Sequence, residues 1–186
     1  MIDQNLTLTG YGVTLRRLTH DKIEKLRQWR NDPKIQQYMN YREYITSEMQ
    51  ERWFHTINND NNLYFIIEFE GKEVGMINIK DIDYERKKGE RGIFIYDDDY
   101  LNSFVSTRAS MCLSDFIYNE LQLKETYGHI LQNNKRSIRM SKFMGAKLAQ
   151  GQDDVDNQLY ITTKEAYESI RPRITRILQI EDGSIK

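Results

Sequence analysis

The chain has 186 residues, 27 Lys and Arg against 28 Asp and Glu, a formal net charge of −1 and one cysteine, Cys112. The length suits one domain with a real core, and the charge balance provides no global field for nucleic acid or an anionic membrane. A lone thiol builds neither a disulfide framework nor a thiolate metal cluster. The opening "MIDQNLTLTG" lacks a basic region and an apolar run, and no stretch approaches the roughly 20 apolar residues of a membrane span. The expectation is a cytoplasmic protein with a very polar surface, in keeping with a mean hydropathy of −0.74.

In chain order, "YGVTLRRL" alternates as a strand does. "THDKIEKLRQWRNDP" predicts a helix with Thr19 as N-cap, Ile23 and Leu26 at helical spacing and Pro33 at its end. "ITSEMQERWFHTI" predicts a second helix, capped by Thr46 or Ser47, with Met49, Trp53 and Ile57 on one stripe. "NLYFIIEFEG" and "KEVGMINIKDID" read as a hairpin turning at Gly71–Lys72, and "GERGIFIYD" as a third strand. A helix follows from about Phe104 to Leu121, with Val105, Ala109, Cys112 and Phe116 on one stripe. "KETYGHIL" reads as a strand, "NNKRSIRMSKFMG" as a short helix ended by Gly145, and "NQLYITT" as a last strand. The order β-α-α-β-β-β-α-β-α-β implies a mixed sheet with helices on both faces.

Three constellations carry chemistry. Asp97, Asp98 and Asp99 precede the long helix. Their run allows a metal loop, a solvated strand end whose charge favours a helix N-terminus, or, with Asn102, Ser103, Ser106 and Thr107, a phosphate cradle on the first-turn N–H groups. In "NNKRSIRMSKFMGA", Asn134 with Lys135, Arg136, Arg139 and Lys142 reads either as a capped helix with a basic face or as a phosphate-holding turn. In "LRQWRNDPKIQQYM", Trp29, Arg30, Asn31, Tyr38 and Met39 can hold a flat ring and a phosphate, or can be core and surface. His20, His55 and His129 have no metal-like spacing and read as structural, and Cys112 reads as core.

These blocks in this order resemble the GNAT superfamily of acyl-CoA-dependent N-acyltransferases, from about Val13 to about Thr163. "LRRLTHDKIEKLRQWRNDP", "YFIIEFEGKEVGMINIKDID", "GERGIFIY", "DFIYNELQL" and "NNKRSIRMSKFMGA" carry the likeness. "WRNDPKIQQYM" followed by "ITSEMQERWF" is similar to the nucleotide-sugar N-acetyltransferases of pseudaminic acid biosynthesis. Ribosomal-protein N-terminal acetyltransferases match that opening less well.

The resemblance implies an α/β GNAT fold over residues 1–171, its mostly antiparallel sheet splayed between two parallel strands, with a C-terminal extension at 172–186. It implies acetyl-CoA as co-substrate, no metal, and direct attack of a primary amine on the thioester. The acceptor it implies is an amino sugar on a nucleotide, with no nucleic acid or membrane partner, and a homodimer is allowed. The strand N–H groups of Ile93, Phe94 and Ile95 stand where the family holds the oxyanion, and Glu90 where many relatives carry a strand Glu as base. Asn78 takes a position that orients water, and Ser141 stands where many members have a Tyr acid. "DYLNSF" replaces the family's Gly-containing pyrophosphate loop. There Asn102, Ser103, Phe104, Val105 and Ser106 meet the cofactor, with Asn134 and Arg139 from the next helix. Asn102 tolerates unusual backbone angles and keeps the turn, while Arg108, Arg139 and Lys142 offset the acidic run. Arg30, Asn31, Met39 and Phe94 line the acceptor pocket by the same resemblance. The missing glycines and Ser141 also fit a non-catalytic GNAT-fold binding protein, and an N-terminal acetyltransferase is the other alternative.

Overall fold

The computed structural model describes residues 3–183, so residues 1–2 and 184–186, the ends of the expected domain and extension, lie outside it. Its eight strands are β1 (Thr7–Gly10), β2 (Val13–Arg17), β3 (Leu63–Phe69), β4 (Lys72–Asp83), β5 (Lys88–Ile95), β6 (Glu125–Leu131), β7 (Lys147–Leu148) and β8 (Asn157–Thr163). They form one sheet in the order β1-β2-β3-β4-β5-β6-β8-β7. Every neighbouring pair is antiparallel except β5 and β6, which are parallel. The α-helices are α1 (Ile23–Asn31), α2 (Pro33–Gln36), α3 (Ser47–Ile57), α4 (Val105–Asp115), α5 (Lys135–Phe143) and α6 (Lys164–Glu181).

Local chemistry explains many boundaries. The Thr46 hydroxyl accepts from Met49 N–H at the start of α3, and the Asn134 side chain accepts from Ser137 N–H at the start of α5. Glu70 (φ 50°) and Gly71 (φ 75°) make the left-handed pair that joins β3 to β4 in a tight hairpin. Thr19 differs from expectation. It precedes a 3₁₀ turn, His20–Lys22, without capping it, and its hydroxyl instead meets Asp21.

Strand alternation sorts the apolar residues into two cores. Leu63, Phe65 and Ile67 of β3 join Ile77 and Ile79 of β4 under α4 and α6. Tyr64, Ile66 and Met76 face the other way, against Leu26 and Trp29 of α1 and Phe54 of α3. The buried residues of α3 are Gln50 and Phe54, with Trp53 and Ile57 beside them, so the stripe lies one position on from Met49.

Two elements depart from their sequence patterns. Helix α4 is buried nearly all round, Thr107, Arg108, Ser110 and Ser114 included, because the sheet covers one side and α6 the other. It continues as a π-helical turn, Phe116–Glu120. Helix α6 runs through Pro172 and places Tyr167, Ile174 and Leu178 in the main core. The expected boundary between 171 and 172 therefore falls inside a helix that packs as part of the domain. Among the described residues no helix is long and apolar enough to cross a membrane.

Candidate active site

The parallel pairing of β5 with β6 covers only Lys88–Glu125, Gly89–Thr126 and Glu90–Tyr127. Beyond Glu90 the two strands part, while β5 stays paired to β4 as far as Ile95 and β6 stays paired to β8 as far as Leu131. The result is a wedge-shaped opening in the sheet. Tyr96 N–H donates to Val74 C=O, so the antiparallel alternation directs the Phe94 and Gly92 N–H groups toward β4. The N–H groups of Ile93 and Ile95 therefore face the opening, and that of Phe94 does not. Arg91 pins the wedge from the α4 side, donating to Ser114 Oγ at 2.9 Å and Ser110 C=O at 3.2 Å. Burial pulls its guanidinium below the ordinary range.

On the α1–α3 side of the wedge lies a cluster of polar groups. Glu90 receives Lys80 Nζ at 2.9 Å on Oε2, and its Oε1 lies 3.1 Å from His129 Nδ1. Burial draws the Lys80 ammonium down, but its bonds to Glu90 and Asp81 outweigh this and raise it overall. Burial raises the Tyr127 phenol, reinforced by the charge of Glu90. Asn78 is buried, and its Nδ2 has no hydrogen-bond partner among the described residues. Its Oδ1 sits over Gly92, where an added Cβ would come within 2.7 Å of it.

Residues expected around the acceptor divide into two groups. The Arg30 guanidinium lies over the Trp53 ring at 5.4 Å, and among the described residues it forms no ion pair. Burial draws it below its ordinary range, against the opposing pull of Tyr64 and Tyr41. Phe94 packs edge-on against Trp29 at 6.3 Å on the same side of the sheet. Asn31 does something else: its Oδ1 accepts from Ile45 N–H at 2.8 Å and its Nδ2 donates to Ile45 C=O at 2.9 Å. Its amide closes the loop between α1 and α3 and leaves little for a ligand. Met39, half-buried, accepts from Arg42 through its carbonyl in that loop. Tyr38, Tyr41 and Tyr44 are exposed there; Tyr41 and Tyr44 were not singled out from the sequence, because isolated surface tyrosines give no periodic signal.

The loop before α4 is built without glycine. Asp97 caps a 3₁₀ turn, Asp98–Tyr100, through Asp99 N–H, and Asp98 pairs with Lys34 at 3.1 Å. Among the described residues no group of three or more His, Cys, Asp or Glu could hold a metal ion. Asn102 is not among the residues with positive φ, so the expected left-handed turn is absent. Successive bonds from Tyr100, Leu101 and Ser103 N–H to Asp97, Asp98 and Tyr100 C=O coil the segment instead. Phe104 stands at the N-cap of α4, 36% exposed, and Ser103 Oγ accepts from Val105 N–H. Ser106 lies in the first turn of α4. Asn102 Oδ1 accepts from Arg136 of α5 at 3.3 Å, which ties the starts of the two helices together.

From α5, Asn134 uses its Oδ1 as a cap, Arg139 is exposed, and Ser141 is half-buried. Arg108 does not offset the acidic run. It is buried against Tyr11 C=O at 2.9 Å and against Glu181 and Asp182 at the end of α6, away from the loop's aspartates. Cys112 is buried, which pushes its thiol up to about 11.

Residues 13–147 match the family model of the acetyltransferase (GNAT) domain. The chain is 21% identical over 138 residues to the spermidine N(1)-acetyltransferase of Escherichia coli K12, covering 74% of each. Among solved structures it is similar to FdhC, a nucleotide-linked sugar GNAT, with a TM-score of 0.77 at 19% identity over 94% of this chain and 99% of that one. It is also similar to the spermidine N-acetyltransferase of Vibrio cholerae solved with CoA and spermine, with a TM-score of 0.71 at 17% identity over 86% and 99%. With the splayed strands in place and the family domain spanning β2 to β7, the chain belongs to the GNAT family of acetyltransferases.

Proposed function

We propose that this chain transfers the acetyl group of acetyl-CoA to the primary amine of an amino sugar carried on a nucleotide. The observation that carries the acceptor class is Arg30, a partly buried guanidinium over the Trp53 ring with no carboxylate paired to it among the described residues. A polycation such as spermidine needs carboxylates around it. On the α1–α3 side of the wedge the carboxylates are already engaged, Glu90 and Asp81 by Lys80 and Asp83 by Arg86, which leaves Arg30 as the charge open to an acceptor. An acceptor bearing phosphates matches that charge, and exposed Tyr38, Tyr41 and Tyr44 offer flat surfaces for a base.

The wedge fits a thioester. The Ile93 and Ile95 N–H groups would hold the carbonyl oxygen as charge develops on it. The first turn of α4 and Arg136 would hold the pyrophosphate, and Ser141 would stand near the sulfur. The amine would approach from the Arg30 side, where Glu90 and Asn78 lie. The test is a panel of 4-amino nucleotide sugars, spermidine and N-terminal peptides with acetyl-CoA, comparing wild type with Arg30→Ala. Turnover of the sugar with KM raised about tenfold or more in the variant supports the reading. Preference for spermidine or a peptide overturns it.

A further inference from the structure

We propose that His129, oriented by Glu90, is the group that takes the proton from the attacking amine. The inference rests on the acetyltransfer reading but not on which amine is the acceptor. Glu90 and Tyr127 are the last paired residues of β5 and β6, so Gly92 and His129, two further along each strand, face each other across the start of the opening. One wall carries the Ile93 N–H group and the other carries His129, so an acyl carbon held on the first has an imidazole opposite it.

The hydrogen bonding fits this division of labour. Glu90 Oε2 is engaged by the Lys80 ammonium at 2.9 Å, so that oxygen is already occupied. Its Oε1 meets His129 Nδ1 at 3.1 Å, which favours the tautomer with hydrogen on Nδ1. That leaves the Nε2 lone pair available, with no partner among the described residues, on a side chain 37% exposed. Imidazole also suits proton transfer near neutral pH better than a carboxylate held by an ammonium. The charged groups around the pair are Lys80, Asp81 and Asp83 of β4 and Glu90 of β5. Tyr127 lies edge-on to the ring at 6.3 Å, and β8 contributes Leu159, which is uncharged.

In the step, the neutral amine nitrogen bonds to the thioester carbon and its proton passes to Nε2. The C–S bond then breaks, its electron pair stays on the CoA sulfur, and that thiolate takes a proton from solvent. His129 is the catalytic residue and Glu90 the positioning residue.

Two measurements decide it. The first is the pH dependence of kcat/KM with acetyl-CoA and the best acceptor among a 4-amino nucleotide sugar, spermidine and an N-terminal peptide. His129→Gln should lower kcat on the order of 100-fold or more, leave the acceptor KM within about twofold and abolish the acidic limb. Glu90→Gln should keep that limb and lower kcat less than His129→Gln does, since the imidazole remains but loses the carboxylate that orients it. The second is the imidazole tautomer in the wild-type chain by nitrogen NMR, assigned with the His129→Gln variant. An Nδ1–H tautomer that turns to Nε2–H in Glu90→Gln is expected. An acidic limb unchanged in His129→Gln, or an Nε2–H tautomer in the wild type, overturns the assignment. Wild-type turnover of spermidine alone overturns the sugar acceptor and leaves His129 to be judged by the same profile. No turnover of any of the three overturns both.

Discussion

Arg108 of α4 and Asp182, just past the end of α6, share a two-pronged contact: Nη2 reaches Oδ1 at 2.5 Å and Nη1 reaches Oδ2 at 3.2 Å. Glu181 joins the same guanidinium, which also donates to Tyr11 C=O. Burial alone would draw Arg108 down, yet the carboxylates outweigh it and raise it overall. Removing both carboxylates should strand a buried cation. Glu181→Gln with Asp182→Asn is expected to lower stability by about 1–3 kcal/mol, seen as a lower urea midpoint at unchanged slope. Asp182→Asn alone should cost less, because Glu181 remains. A double variant as stable as wild type would show that the clamp contributes nothing.

Asp115 ties α4 to α6 and to the β1–β2 turn. It accepts from Arg171 Nε and Nη2 at 2.8 Å each, from Tyr167 at 2.7 Å and from Tyr11 at 2.6 Å. Burial pushes its carboxyl up, but the bonds from Arg171, Tyr11 and Tyr167 outweigh this and hold it below the ordinary range. A depressed carboxyl contributes stability that is complete above the unfolded value, about 3.9, and is lost as pH falls through the folded one. Asp115→Asn should therefore cost about 1–3 kcal/mol at pH 7. Its deficit against wild type should narrow below about pH 4. Urea melts at pH 7 and pH 3 check this, and a deficit independent of pH would contradict it.

Gly75 of β4 lies so close to β5 that an added Cβ would come within 2.3 Å of Phe94 C=O and 3.0 Å of Ile95 Cα. Both are backbone atoms of the strand that presents the Ile93 and Ile95 N–H groups, so neither can swing aside. Gly75→Ala should cost at the upper end of about 1–3 kcal/mol and should also impair turnover by moving that strand. Gly71 is the control. It has φ 75° and open space around it, so Gly71→Ala should cost about 1 kcal/mol of backbone strain and leave turnover intact. Equal effects of the two on turnover would argue against a positional demand at Gly75.

Acetyl-CoA is proposed to bind at the loop before α4, and three substitutions there test it. Phe104 has an ordinary backbone (φ −80°), so its bulk, not its conformation, is what a phosphate would meet. Phe104→Gly should tighten acetyl-CoA binding by up to about tenfold, or about 1.4 kcal/mol, in calorimetry. Asp99→Gln should tighten it less, since that exposed charge is screened by salt. Arg136→Gln should weaken it. Titration of wild type and all three variants with no measurable binding at millimolar acetyl-CoA would remove the cofactor site from this loop.

The sequence by itself determined the elements whose causes are local. The caps at Thr46 and Asn134, a hairpin at Gly71 (its turn one residue earlier than expected, at Glu70–Gly71) and the alternation along β3 and β4 all act within a few residues, and the periodic apolar blocks gave the order of the elements along the chain. Edge strands β1 and β7 were not legible. They have four and two residues and exist only because a longer strand lies beside them. The domain was expected to end at 171, yet α6 runs on through Pro172, because the burial of Tyr167, Ile174 and Leu178 on either side outweighs one missing donor. Side-chain duties were decided only by the tertiary structure. Asn31 meets Ile45, Arg108 turns to Glu181 and Asp182 rather than to the acidic loop, and Glu90 meets a histidine that spacing alone reads as structural. Which charged or amide group a side chain finds depends on elements far along the chain that packing brings within about 3 Å, and one sequence read locally holds no record of that distance.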